Sequence, residues 1–161
     1  MYRMRRADLQ MVGALCFLDT KCYTRFMMTA QQKRKLITLF KKGPITVAYL
    51  FGSLALGKER KESDADIAIN IVPSLSKEHR FALRLKLMGQ LSRILQRNVD
   101  VVVLNDVVSP FFKYIIIKEG VLLYQKSALD QFEIENTIYN LYFDFQPFLT
   151  QYNNAYVARH H

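Results

Sequence analysis

Two aspartates one residue apart, Asp64 and Asp66, open an apolar run (DADIAINIV), and a Gly-Ser pair, Gly52-Ser53, closes the apolar run before it (ITVAYLF). Ten residues separate the serine from the first aspartate. Neighbouring carboxylates repel unless a cation lies between them, and hard oxygen ligands of this kind suit Mg²⁺. A Gly-Ser turn that leaves a strand for a helix start presents backbone N–H groups, which makes an anion site. Metal carboxylates facing a phosphate-holding turn are the parts that phosphoryl or nucleotidyl transfer needs. Each half is common alone, as an ordinary turn or a solvated strand start. Given usual Gly, Ser and Asp frequencies, both together at this spacing arise by chance on the order of 10⁻³ in a chain this size.

The elements that must position these residues follow from periodicity. The stretch reads as strand 45–51, tight turn, short helical loop and strand 66–72. Alternation puts Asp64 and Asp66 on one face and Ala65, Ile67, Ile69 and Ile71 on the other. Upstream, Thr29 is placed to cap a helix whose apolar positions are Leu36, Ile37, Leu39 and Phe40, and Gly43-Pro44 stops it. Downstream, a serine at 74 or 76 starts a long helix over 77–96. Its expected apolar stripe is Phe81, Leu85, Met88 and Leu95, joined by Leu87, Leu91 and Ile94. His79, in its first turn among basic residues, reads as a surface residue rather than a ligand. Strand 99–104 carries Asp100 near its start, on the face of Val102 and Leu104, within reach of an adjacent strand's Asp pair. Ser109-Pro110 opens a short helix over 111–117, and Gly120 turns the chain into strand 121–124. Ser127 and Asp130 form an acidic capping box for the last helix, which Pro147 is expected to kink or break. The aromatic residues of 139–156 outnumber what one helix face can bury, which marks a partner surface. The order predicts an α/β fold, a small mixed sheet flanked by helices. Strands 45–51, 66–72 and 99–104 together in its centre would bring Ser53, Asp64, Asp66 and Asp100 to one edge.

Gly52-Ser53, ten residues, then Asp64-Ala65-Asp66 resembles the signature of the nucleotidyltransferase superfamily that includes DNA polymerase β. The compact length resembles its minimal nucleotidyltransferase (MNT) branch, whose members are commonly antitoxins paired with all-helical HEPN toxins. The resemblance implies a third carboxylate on a later strand, and Asp100 fits. It assigns Asp64, Asp66 and Asp100 as catalytic, metal-binding residues for two Mg²⁺ ions, and Gly52 and Ser53 to the phosphates of ATP. It further implies transfer of AMP to a hydroxyl, a tyrosine, of an HEPN ribonuclease toxin, in the cytoplasm. One departure stands out. Family members often read Gly-Ser-x-Ala-Arg-Gly, and this chain has Leu56 where the arginine would stand. Lys58 and Arg60 are the nearest cations to replace it. Two other readings stay open: an antitoxin that masks its partner without catalysis, and a small-molecule transferase of the aminoglycoside-modifying type. The second is disfavoured by a chain too short for a large acceptor domain.

At 161 residues and 50% hydrophobic, the chain has the size and composition of one globular domain. Cys16 and Cys22 show no metal-ligand spacing or disulfide framework and read as reduced thiols. The formal net charge is +9. Residues 1–42 hold ten Lys/Arg against two acids, whereas residues 43–161 hold thirteen against twelve. The body that carries the motif is therefore nearly neutral, which argues against direct nucleic-acid binding. Residues 1–28 fit the rest poorly, with a basic start and an apolar run over 11–18 too short to span a bilayer. They read as an extension, either a small helix packing on the body or excess upstream of a start at Met27 or Met28. The expected catalytic domain is 29–158, with no membrane contact.

Overall fold

The computed structural model describes residues 28–57 and 63–160. The extension up to residue 27, with Cys16 and Cys22, lies outside the described residues, as do Lys58 and Arg60. Helix α1 (Ala30–Lys42) starts at the expected cap: Thr29 Oγ1 accepts from the Gln32 amide at 3.2 Å, and Gln32 Oε1 accepts from the Thr29 amide at 2.9 Å. Lys41 and Lys42 in its last turn face the negative end of the helix dipole. Strand β1 (Ile45–Phe51) leads into the short helix α2 (Gly52–Ala55), and β2 (Ala65–Ile71) follows. Helix α3 (Lys77–Leu95), capped by Ser76, crosses to β3 (Val99–Val103). A 3-10 turn (Leu104–Asp106), α4 (Pro110–Glu119), β4 (Val121–Gln125) and α5 (Ala128–His160) complete the chain.

The four strands form one mixed sheet in the order β3-β2-β1-β4, with β2 parallel to β3 and both other pairs antiparallel. The parallel pair needs a crossover, and α3 supplies it. Of the three strands expected at the centre, only β1 and β2 are there. β3 is an edge strand, because the free side of β1 is taken by β4. The sequence of β1 is apolar without alternation because it is buried on both faces.

The sheet lies between two helical layers. On one face Leu36 and Phe40 of α1 and Leu87, Leu91 and Leu95 of α3 pack on Ile67, Ile69, Val101 and their neighbours. On the other, Ile116 and Ile117 of α4 and Ile138 of α5 pack on Val47, Tyr49 and Ala68. Tyr49, 2% exposed, donates to Glu135 Oε1 at 2.6 Å and ties α5 to the central strand.

Three details depart from the expectations. Phe81 and Leu85 of the α3 stripe are exposed, at 58% and 53%. At 100° per residue Leu85 lies about 200° round the helix from Leu87, so the buried line is narrowed to Leu87, Leu91 and Leu95. Pro147 lies inside α5 without ending it, although a proline removes one backbone donor from a helix interior. Leu104 leaves the strand for the 3-10 turn, where Asn105 takes over the pairing. Its Oδ1 accepts from the Ile71 amide and its Nδ2 donates to the Ile71 carbonyl, both at 2.9 Å, mimicking one more ladder rung. No helix among the described residues is long and apolar enough to cross a membrane.

Candidate active site

β1 ends at Phe51, and the chain turns at Gly52 with φ +74, a conformation that L side chains rarely adopt. A second constraint acts at the same position. A Cβ on Gly52 would collide with Asp66 Oδ2. Glycine is therefore required both by the turn and by the carboxylate against it. Ser53 follows in the first turn of α2, where backbone N–H groups have no intrahelical acceptor. Leu56 closes the turn as its C-cap and is 43% exposed.

Strand register brings two of the aspartates, Asp66 and Asp100, side by side. Asp66 pairs with Phe51 across the antiparallel ladder and with Asp100 across the parallel one. Ala65, Ile67, Ile69 and Ile71 are buried in the α1/α3 core, so Asp66 projects from the opposite face. Asp100 projects likewise between buried Val99 and Val101. Asp64 lies one residue before β2 and is exposed. Burial first, then the charges of Asp100 and Asp64, push the Asp66 carboxyl above the ordinary aspartate range. Three carboxylates thus share one electrostatic neighbourhood, and Asp66 carries the strain of it.

Among the described residues no group of three or more His, Cys, Asp or Glu side chains is placed to hold a metal ion by itself. At phosphate sites Mg²⁺ takes one or two protein carboxylates, supplemented by substrate oxygens and water. The donor set fits such an ion: hard oxygens only, two of them register partners, and a raised Asp66 that a divalent cation would relieve.

Two features near the aspartates escaped the sequence reading. Arg84, on α3, donates from NH2 to Asp100 Oδ1 at 3.0 Å, and the Val101 amide donates to the same oxygen at 2.8 Å. Phe112 of α4 meets the Phe51 ring edge-on, with centroids 5.9 Å apart, beside the strand end that carries the turn. Neither carries a sequence signal, since Arg84 lies in a run of alternating basic and apolar residues and Phe112 in an apolar helix. His79 is exposed in the first turn of α3, and its Nδ1 lies 2.8 Å from the capping Ser76 hydroxyl.

With the turn and the two paired aspartates in place, comparison with known proteins decides the family. A family model described as Polymerase beta, Nucleotidyltransferase matches residues 34–129, more than half of the chain. The chain belongs to that family. Among curated protein sequences none matches it. Solved structures share the fold of this nucleotidyltransferase at low identity. One is a toxin–antitoxin crystallised with AMP-PNP, 23% identical, with a TM-score of 0.63 over 78% of this chain and 98% of the other. A second is a MntA–HepT toxin–antitoxin, 21% identical, with a TM-score of 0.61 over 80% and 99%. A third contains the tri-AMPylated HEPN toxin of Shewanella oneidensis with its MNT antitoxin, 21% identical, with a TM-score of 0.59 over 78% and 96%.

Proposed function

We propose that this nucleotidyltransferase is a cytoplasmic antitoxin whose domain, residues 29–158, transfers AMP from ATP to a tyrosine hydroxyl of an HEPN-type ribonuclease toxin. The single observation that carries the catalytic part is the register that sets Asp66 beside Asp100 and presses its carboxylate against Gly52. That adjacency supports reading the turn as the phosphate site and the carboxylates as cation ligands. The fold shared with MNT antitoxins, one of them beside an AMPylated toxin, supports the choice of nucleotide and partner.

In this reading the amides around Gly52 and Ser53, with the Ser53 hydroxyl, bind the β- and γ-phosphates of ATP. Asp64, Asp66 and Asp100 would hold two Mg²⁺ ions, which would supply charge neutralisation at the phosphates and favour ionisation of the acceptor hydroxyl. Asp100 accepts the proton of that hydroxyl. Its oxygen attacks the α-phosphorus in line, the bond from that phosphorus to the bridging oxygen breaks, and pyrophosphate leaves with the electron pair. The exposed aromatic and aliphatic residues of α5, Leu141, Phe143, Phe148 and Tyr152, supply the toxin-facing surface.

Mass spectrometry of a toxin co-expressed with this chain should show additions of whole AMP units, absent when Asp64→Asn and Asp66→Asn are combined. One observation favours masking without catalysis: at 56 an exposed leucine replaces the arginine common in the family. An unmodified toxin that is fully inhibited would establish that second reading and sink the first.

A further inference from the structure

Two arginines one turn apart on α3 face the acidic residues that begin and follow β3, and they are bonded very differently. All three guanidinium nitrogens of Arg80 donate. Its Nε donates to both Asp106 oxygens at 3.1 and 3.2 Å, NH2 donates to Asp106 Oδ1, and NH1 donates to the Leu75 carbonyl at 2.6 Å. That is a clamp between helix and turn. Arg84 reaches Asp100 through a single nitrogen, and its Nε is buried with no hydrogen-bond partner. An unpaired buried donor costs stability, so a residue kept only to fasten α3 to β3 would be expected to use the whole fork, as Arg80 does.

The bonding of Asp100 shows what Arg84 achieves instead. The guanidinium and the Val101 amide both donate to Oδ1. Oδ2 receives no hydrogen bond among the described residues, and the Asp66 carboxylate stands alongside in register. One oxygen is pinned and the other left for chemistry. We infer that Arg84 is the positioning residue of the third carboxylate: it fixes Asp100 so that Oδ2 alone is offered to cation and acceptor, at the cost of repelling the cation. This rests on the nucleotidyltransferase reading of Asp64, Asp66 and Asp100.

The inference gives opposite signs for binding and turnover. A unit charge one carboxylate away from a divalent ion weakens its binding by Coulomb repulsion, even when solvent screens it. Arg84→Met should therefore bind Mn²⁺ about three- to tenfold more tightly, read by electron paramagnetic resonance of free Mn²⁺ titrated with the full chain. AMP transfer should fall about ten- to hundredfold, in kcat rather than in KM for ATP, because Asp100 loses its fixed rotamer. Arg84→Lys keeps the charge and should return Mn²⁺ affinity to that of the unaltered chain while restoring only part of the rate. Arg80→Met is the control: lower Tm, unchanged Mn²⁺ affinity. Should Arg84→Met not fold, Arg84→Gln carries the same test. Unchanged or weaker Mn²⁺ binding in the Arg84 variants overturns the inference and leaves a structural ion pair. An unaltered chain that takes up no Mn²⁺ even with a non-hydrolysable ATP analogue present overturns the reading of Asp64, Asp66 and Asp100 as cation ligands, and the inference with it.

Discussion

The two faces of the sheet solve different problems. The face under α1 and α3 is almost wholly apolar: Ile67, Ile69, Ile71, Leu91 and Val101 are all fully buried there, with the Phe40 and Tyr124 rings beside them. It carries no charged side chain in its buried cluster, and it supplies the stability. The face under α4 and α5 carries Asp66, Asp100, Asn70 and the Tyr49–Glu135 hydrogen bond between its smaller apolar contacts. Its polar groups lie at both ends of β2. Asn70 is satisfied by Thr46, whereas Asp66 accepts no hydrogen bond among the described residues and is pushed toward its neutral form. The contrast teaches that one strand can serve both tasks, because successive side chains belong to different layers. The dry layer offsets the destabilisation that the carboxylates impose on the other.

Substitutions can break this contrast from either side. The largest effect is expected on the chemical face. Asp66→Asn or Asp100→Asn should lower nucleotide transfer by about 10²–10⁴-fold, measured with ATP labelled at the α-phosphorus. Asp66→Asn should at the same time raise Tm at neutral pH without metal. A carboxyl whose pKa is raised on folding stabilises below its unfolded value and loses that contribution as pH rises through the folded one, and asparagine escapes this loss.

On the dry face, Leu91→Ala removes a fully buried side chain and should cost about 2–5 kcal/mol in denaturant unfolding, with transfer by the folded fraction intact. Gly52→Ala sharpens the link between turn and metal strand: its Cβ must displace Asp66 Oδ2, and a shift of this size should cost about 10² in rate with a smaller loss in Tm. Tyr49→Phe removes the hydrogen bond that ties α5 to the sheet, for about 1.5 kcal/mol of stability, since Gln131 still donates to Glu135 at 2.8 Å. The smallest effect concerns the Arg80 clamp. Its hydrogen bonds hold the Asp106 carboxyl below the usual range, so the pair stabilises the fold above the unfolded pKa and loses that as pH falls through the folded one. Thermal melts in acid should show a steeper fall in Tm for the parent than for Asp106→Asn.

The helix and strand elements were legible because each is specified locally. Thr29, Ser76, Ser109 and Ser127 cap helices at or within one residue of the expected starts, since a cap depends only on a side chain and an amide three residues away. The doubly buried β1 announced itself as an unbroken apolar run, and the Gly-Ser and Asp-x-Asp spacing pointed to the family that the match over 34–129 established. Strand order was not legible. Whether strand 99–103 stands at the centre or the edge depends on which neighbour β4 takes, and side-chain alternation is the same in both places. The breadth of the α3 stripe failed for a related reason: periodicity shows which residues can face a core, and only the position of the sheet decides which do. The contact of Gly52 with Asp66, the register of Asp66 with Asp100, and the hold of Arg84 on Asp100 join residues 14, 34 and 16 positions apart. No local rule relates such positions, so only tertiary packing could bring them together.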